Sequence, residues 1–187
     1  MRVIGVDPGT VITGYGVVDE STAGRLSYVA SGAIATPSGA ALSKRLKKIY
    51  DELMIVFQTH RPSAVVIEDT FLAKNFQAAL KLGQARGVAL LAAEMCGVPV
   101  FEYTPTQVKM AVVGYGAARK DQVQQMVARL LSQLSGLRGD RPDGSNTRDG
   151  SRSAVSPSHH EADALACAIC HLHSLKVKTA IVASRGL

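Results

Sequence analysis

Two apolar runs that each end in a carboxylate constrain the fold of this chain more than any other feature. Residues 3–6 predict a buried strand that ends at Asp7, after which a Pro-Gly pair turns the chain. The run AVVIED, residues 64–69, repeats this pattern and closes on Glu68 and Asp69. A carboxylate at the mouth of an apolar core is costly unless a cation binds it, although an Asp before Pro-Gly is also typical of a simple turn. From these runs alone, both interpretations of Asp7 stay open.

The order of the predicted elements indicates an α/β fold with a mixed sheet. Strands at residues 15–18 and 26–36 follow the first strand after short links, which favours an antiparallel meander. Apolar residues at helical spacing across 42–56 then separate the meander from the strand at 64–69. Because a strand that is reached through a helix can pair in parallel, we predict a mixed sheet flanked by helices.

The second half of the chain predicts mainly helices. A long helix over 77–96 contains Gly83 and Gly87, whose spacing of four indicates a close approach to another backbone. The later elements are a strand at 100–104, a short helix opened by Pro105 that carries Lys109, an amphipathic helix from Lys120 to Leu134 and a helix over 159–175. After about residue 175 we expect only a short C-terminal tail.

One segment differs in composition from the rest of the chain. Residues 135–158 are rich in Ser, Gly, Arg and Asp and contain almost no large apolar side chain, so we predict a mobile loop there. The whole chain has 187 residues, which is near the usual size of one domain. We therefore expect residues 1–187 to form a single domain.

Charge and cysteine content narrow the setting in which the protein works. The net charge of +6 at pH 7 is compatible with a polyanionic partner but does not require one. Three cysteines are too few for a disulfide framework. Because an acidic residue precedes any long apolar run, we also expect no signal peptide. No stretch reaches the roughly 18 consecutive apolar residues of a membrane span. The expected location is a reducing cytoplasm, without membrane contact.

Four polar side chains could meet at one edge of the predicted sheet. His160 and Asp163 are three residues apart on the last helix and therefore project from one side of it. The helix dipole alone would explain an Asp near a helix start. Together with Asp7 and Glu68 at two strand ends, however, the acids would repel one another unless Mg²⁺ or Mn²⁺ bound them. Two such ions about 4 Å apart are the usual arrangement for phosphodiester hydrolysis.

Basic and aromatic residues suggest contacts with a nucleic acid. Arg119 and Lys120 lie at a helix N-terminus, where positive charge opposes the helix dipole, so we predict that they serve a ligand. In the loop after Glu68, Phe71 could stack on a base and Lys74 could meet a phosphate. Alternatively, Phe71 simply packs against the following helix.

A C-x-x-C-H motif needs a separate interpretation. Cys167, Cys170 and His171 match the pattern of c-type haem attachment. They lie within a periodic helix where small buried side chains are expected, and haem attachment of this kind requires export. We therefore predict core packing and neither haem nor zinc.

Several segments together resemble the RuvC family of Holliday-junction resolvases. These segments are GVDPGTVITGYGVV, IEDTFLAKN, ALKLGQARG, PVFEYTPTQVK and HEADALACAI. The resemblance implies a ribonuclease-H-like fold and a homodimer that cuts four-way DNA junctions by paired, symmetric nicks. It also implies two divalent metals per site, Mg²⁺ with Mn²⁺ able to substitute, and a partnership with the RuvA–RuvB branch-migration complex.

The resemblance also assigns roles to individual residues. Asp7, Glu68 and Asp163 match three of the family's four metal-binding acids, and His160 occupies the fourth position, which is an acid in some members. A neutral imidazole can still ligate a metal or orient water. The neighbouring Glu161 is turned away by about 100° on the helix. The DNA-binding positions implied in this way or predicted above are Phe71, Lys74, Lys109, Arg119 and Lys120.

Two other functions remain as alternatives at this point. The His160 substitution is compatible with a catalytically silent junction-binding protein. An actin-like, ATP-dependent kinase also opens with a strand and Asp-x-Gly-Thr, but it needs a second domain for which this length leaves no room.

Overall fold

The computed structural model describes residues 1–69, 76–132 and 157–184, with side chains up to residue 176. Three strands come first, strands and helices then alternate, and three helices end the described chain. In chain order the elements are β1 (Arg2–Asp7), β2 (Ile12–Glu20), β3 (Leu26–Ala35), α1 (Leu42–His60), β4 (Ala64–Glu68), α2 (Phe76–Met95), β5 (Val100–Tyr103), α3 (Pro105–Val113), α4 (Lys120–Ser132) and α5 (His159–Ser184). Most of the predicted loop at 135–158 lies outside the described residues.

The strands form one mixed sheet in the order β3-β2-β1-β4-β5. β1, β2 and β3 pair antiparallel, whereas β4 pairs parallel to both β1 and β5. The prediction of a meander joined to parallel strands is therefore confirmed. Val6 on β1 lies opposite Ile67 on β4, so Asp7 and Glu68 leave the sheet side by side at the same edge.

Alternation along the strands divides the core into two layers. Val3 and Val66 belong to a cluster with α3, α4 and α5 on one face of the sheet. Ile4 and Val65 belong to a cluster with α1 and α2 on the other face. These strand side chains are fully buried, and burying each contributes about 1.5–3 kcal/mol.

Glycines allow α5 to lie directly on the backbone of the sheet. A Cβ on Gly5 would overlap the carbonyl of Ala164, and a Cβ on Gly14 would overlap the carbonyl of His160. Gly16, which lies opposite Gly5 on β2, likewise makes room for Leu165. Because α5 carries His160, this close packing fixes one half of the site against β1 and β2.

Two parts of the sequence prediction differ from the structure. At Gly83 and Gly87 a Cβ would meet no described atom within 4 Å, so the close approach predicted there is not found. α5 continues to Ser184, where the sequence suggested a tail after about residue 175. No Gly or Pro occurs between His159 and Ser184 to end the helix. In the described ranges, no helix has the length and hydropathy needed to cross a membrane.

Candidate active site

Asp7 and His160 are joined by a hydrogen bond. His160 Nδ1, in the first turn of α5, lies 2.7 Å from Asp7 Oδ2 at the end of β1, although the residues are 153 positions apart. Burial raises the pKa of Asp7, and the hydrogen bond from His160 opposes that increase only in part. The carboxylate therefore sits where its charge is costly and a cation would be stabilised.

Glu68 is the most strongly perturbed of the acids in this cluster. Burial, with added repulsion from Asp7 and Asp163, raises the pKa of Glu68 to about 7, although Lys120 and Lys109 attract its charge. Repulsion of this kind requires the three carboxylates to be near one another. Three separate elements, β1, β4 and α5, thus contribute acids to one place.

Lys120 partly neutralises this acidic cluster. Its Nζ, at the start of α4, lies 2.6 Å from Asp163 Oδ2. Burial lowers the pKa of Lys120, but the hydrogen bond to Asp163 and the attraction of Asp163, Asp7 and Glu68 outweigh it, so the pKa is raised. A lysine kept charged beside carboxylates is a strong local source of positive potential.

A cavity of about 230 Å³ opens beside these groups. Its charged lining consists of two acids, Glu68 and Asp163, and two lysines, Lys109 and Lys120. A larger, more open groove lies at the other end of β1, where Arg2 is ion-paired with Asp19. The smaller cavity is the candidate site because it is the one lined by the acidic cluster.

The two acids next to the cluster point elsewhere. Asp69 Oδ1 lies 3.5 Å from Arg86 Nη2 on α2, so it and Glu68 occupy opposite faces of the sheet as strand alternation predicts. Glu161 instead accepts hydrogen bonds from Ser31 and Ser158. Of the neighbours His160 and Glu161, His160 is therefore the one that faces Asp7.

The predicted nucleic-acid contacts are placed unevenly. Lys109 and Lys120 line the cavity. Arg119, which directly precedes α4, is 74% exposed and forms an ion pair with Asp121 in the first turn of that helix, so it does not join the acidic cluster. Phe71 and Lys74 lie outside the described residues.

Arg45 is a residue that the sequence analysis missed. Although it lies on α1 among exposed lysines, its side chain is buried and its Nε donates to the carbonyl of Thr10 at 2.8 Å and to Thr36 Oγ1 at 3.1 Å. The Thr36 hydroxyl donates to the same carbonyl at 2.6 Å. This network holds the turn that follows Asp7. The signal was its position one turn before Ile49, on the apolar side of the helix.

The C-x-x-C-H motif belongs to the core. Cys167 and Cys170 are buried and free, and burial raises the pKa of Cys170 to about 11. His171 Nδ1 lies 3.0 Å from the hydroxyl of Tyr103, and its ring packs 4.3 Å from that of Phe101. These thiols are protonated and packed, as core residues are.

The donor set of the acidic cluster fits a divalent cation. Carboxylate oxygens suit Mg²⁺ and Mn²⁺, and one imidazole favours Mn²⁺. Within the ranges given above, no three His, Cys, Asp or Glu side chains are arranged to hold one ion as they stand. Asp7 is hydrogen-bonded to His160, and Asp163 forms an ion pair with Lys120, so ion binding requires side-chain rotation at this site.

A mixed sheet of this topology, with acids at the ends of its two central strands and on a helix packed across it, defines a ribonuclease-H-like protein. A family model described as crossover junction endodeoxyribonuclease RuvC matches residues 3–141. The chain belongs to the RuvC family.

Individual relatives agree with this assignment. RuvC of Geobacter sulfurreducens is 46% identical over 181 residues, covering 97% of this chain and 98% of that protein. The structure of T. thermophilus RuvC in complex with a Holliday junction substrate has a TM-score of 0.77 and 33% identity, covering 96% of this chain and 97% of that chain. A yeast mitochondrial Holliday junction resolvase, Ydc2, shares the fold alone, with a TM-score of 0.57 and 10% identity over 91% of this chain and 78% of that chain.

Proposed function

We propose that this protein is an endonuclease that resolves Holliday junctions in DNA by paired, symmetric nicks. The observation that carries the proposal is the convergence of Asp7, Glu68 and Asp163 from three elements beside a cavity lined by two lysines. The family match over most of the chain favours this activity over the kinase alternative.

The acidic cluster and His160 would hold two divalent ions, Mg²⁺ or Mn²⁺. Ions held there would activate a water and stabilise the departing 3′ oxygen, and this chemistry would produce 5′-phosphate ends. The protein's own part is to present Asp7 and Glu68 from adjacent strands and Asp163 from α5. Because the strands and α5 are packed without intervening side chains at Gly5 and Gly14, these ligands start from fixed backbone positions.

His160 has one ring nitrogen engaged by Asp7. While Nδ1 donates to the Asp7 carboxylate, Nε2 carries the lone pair that can meet a cation or a water. Carboxylate–histidine pairs of this kind fix the tautomer and the ring orientation. We therefore assign His160 to the fourth ligand position and not to a silent surface role.

Basic residues around the cavity would bind the DNA backbone. We propose that Lys109 and Lys120, which line the cavity, would contact the phosphate at the cleavage point, with the exposed Arg119 next to Lys120 in sequence. Lys74 and Phe71 belong to this proposal from the sequence alone, as phosphate and base contacts. Phosphate binding by these groups makes the affinity fall with salt.

A homodimer would place two such sites on one junction. Helix α2 presents an apolar face on which Phe76, Leu80, Leu91 and Met95 are each more than half exposed. Gly83 and Gly87 lie on the same face with nothing described within 4 Å, which leaves room for a second helix. We propose that this α2 face joins two copies of the chain, and that the dimer works in the cytoplasm with a RuvA–RuvB complex.

A synthetic four-way junction tests the proposed activity. Purified protein with Mg²⁺ or Mn²⁺ is expected to give symmetric nicks in opposite strands, and Asp7→Asn is expected to abolish them. A linear duplex of the same sequence is the substrate control and should remain intact. Tight junction binding without nicks in either metal would instead establish a silent junction-binding protein.

A further inference from the structure

The contact between Lys120 and Asp163 bears on how the proposed metal site fills. Lys120 Nζ lies 2.6 Å from Asp163 Oδ2, and its charge also attracts Asp7 and Glu68. Its ammonium therefore already occupies an electrostatic position that a divalent cation would take. The same carboxylate oxygen cannot hold both cations at full strength.

The two partners differ in their freedom to move. Asp163 is on α5, whose adjacent residue Ala164 is packed against the backbone of Gly5. Lys120 is the first residue of α4, and its flexible side chain is 56% exposed. When this ion pair breaks, the lysine is therefore the partner that moves.

We propose that Lys120 competes with a divalent cation for Asp163, so that metal binding releases the Lys120 ammonium into the adjacent cavity for a DNA phosphate. This inference rests on the proposed function of the acidic cluster. Lys109 also lines that cavity, so the released ammonium joins an existing positive charge. One residue thereby couples two ligands, since whatever binds Lys120 leaves Asp163 free for the metal.

The coupling has a direction that can be measured without catalysis. Removal of the Lys120 charge takes away the competitor for Asp163, so Mn²⁺ is expected to bind more tightly. An ion pair with one partner more than half exposed is modest, and we expect the dissociation constant to fall about three- to tenfold. A lysine that merely positioned Asp163 for the metal would have the opposite effect.

Titration calorimetry with Mn²⁺ and no DNA tests the competition. The test variant is Lys120→Met. Lys47→Met is the matched control, because Lys47 forms an ion pair of the same 2.6 Å length with Asp51 on α1. Lys109→Met removes a charge from the cavity lining and separates local charge from the direct contact with Asp163.

Tighter Mn²⁺ binding by Lys120→Met than by either other variant supports the competition. Equal or weaker binding by Lys120→Met, with circular dichroism unchanged, overturns it. A different result would count against the proposed function itself: wild-type protein would bind no Mn²⁺, or Asp7→Asn would bind Mn²⁺ as tightly as wild type. Should Lys120→Met fold poorly, Lys120→Gln keeps much of the side-chain length and is expected to give the same change in affinity.

Discussion

The imidazole of His160 and the carboxylate of Asp7 lie 2.7 Å apart, and this bond connects the first strand to the last helix. It ties two of the proposed ligands together before any ion binds. Its chemistry also sets the first prediction, since imidazole and carboxylate differ in the metals that they favour.

Replacement of His160 by Asp is expected to change the choice of metal. A fourth carboxylate favours hard Mg²⁺, so cleavage in Mg²⁺ relative to Mn²⁺ should rise about tenfold, as for a change of roughly 1.4 kcal/mol at the transition state. Junction cleavage rates in each metal measure this ratio. Glu161→Asp, which alters the neighbouring acid that faces Ser31, is the control. An unchanged ratio in His160→Asp would remove His160 from the site.

The ionised carboxylate of Glu68 is expected to destabilise the folded protein at neutral and alkaline pH. Its pKa of about 7 in the folded protein exceeds the ordinary value of 4.5. Below pH 4.5 both folded and unfolded states are protonated, whereas between 4.5 and 7 the unfolded state ionises first and stability falls. Well above pH 7 the full penalty, about 3 kcal/mol, remains.

Glu68→Gln should therefore be more stable than wild type by up to about 3 kcal/mol at pH 8 but not at pH 4. Urea unfolding in EDTA at the two pH values measures the difference. Glu94→Gln, an exposed substitution on α2, is the control. A gain from Glu68→Gln that is equal at both pH values would show that ionisation is not its cause.

Arg45→Met should loosen the turn that follows Asp7. The substitution removes the guanidinium donors from the Thr10 carbonyl and from Thr36, so we expect a loss of about 2–4 kcal/mol in unfolding free energy. Mn²⁺ affinity should fall as well, because the turn positions Asp7. Lys44→Met changes the neighbouring exposed residue and should be nearly neutral. Stability of Arg45→Met within 0.5 kcal/mol of wild type, roughly the effect of a surface change, would contradict this role.

Leu91→Glu tests the α2 face as the dimer contact. A charge in an apolar interface is costly, so the dimer dissociation constant should rise about tenfold or more while the monomer stays folded. Sedimentation of wild type and variant measures the change. Ile55→Glu is the matched control, because Ile55 on α1 is 58% exposed and Leu91 is 53% exposed. If both variants remain dimeric, the two copies meet elsewhere.

Local patterns allowed the order of elements and the sheet type to be predicted from sequence. Strand runs such as residues 3–6 and 64–67 are free of polar side chains because both of their faces are covered by helices. Spacing on one helix likewise placed His160 and Asp163 on a common side.

Contacts between distant elements could not be predicted in this way. The Lys120–Asp163 ion pair depends on how α4 and α5 pack, which no periodicity records. Arg45 was missed because its basic side chain suggested exposure, like the lysines around it, although its spacing to Ile49 placed it on the apolar side of α1. Gly83 and Gly87 had the spacing of a close contact, but spacing does not tell whether the approaching backbone belongs to the same chain, and no described residue of this chain lies within 4 Å of a Cβ placed there.

The positions of the proposed ligands depend on glycines, which have no side chain, beneath α5. At Gly5, Gly14 and Gly16 a single methyl group would push α5 away from the sheet and carry His160 and Asp163 away from Asp7. At Gly5 and Gly14 the distance between α5 and the sheet is thus set by backbone atoms in contact, and a close-packed interior leaves little room for adjustment. The sheet beneath α5 therefore determines where the proposed ligands lie. Larger side chains, which can improve packing elsewhere in the core, would displace the helix at these glycines.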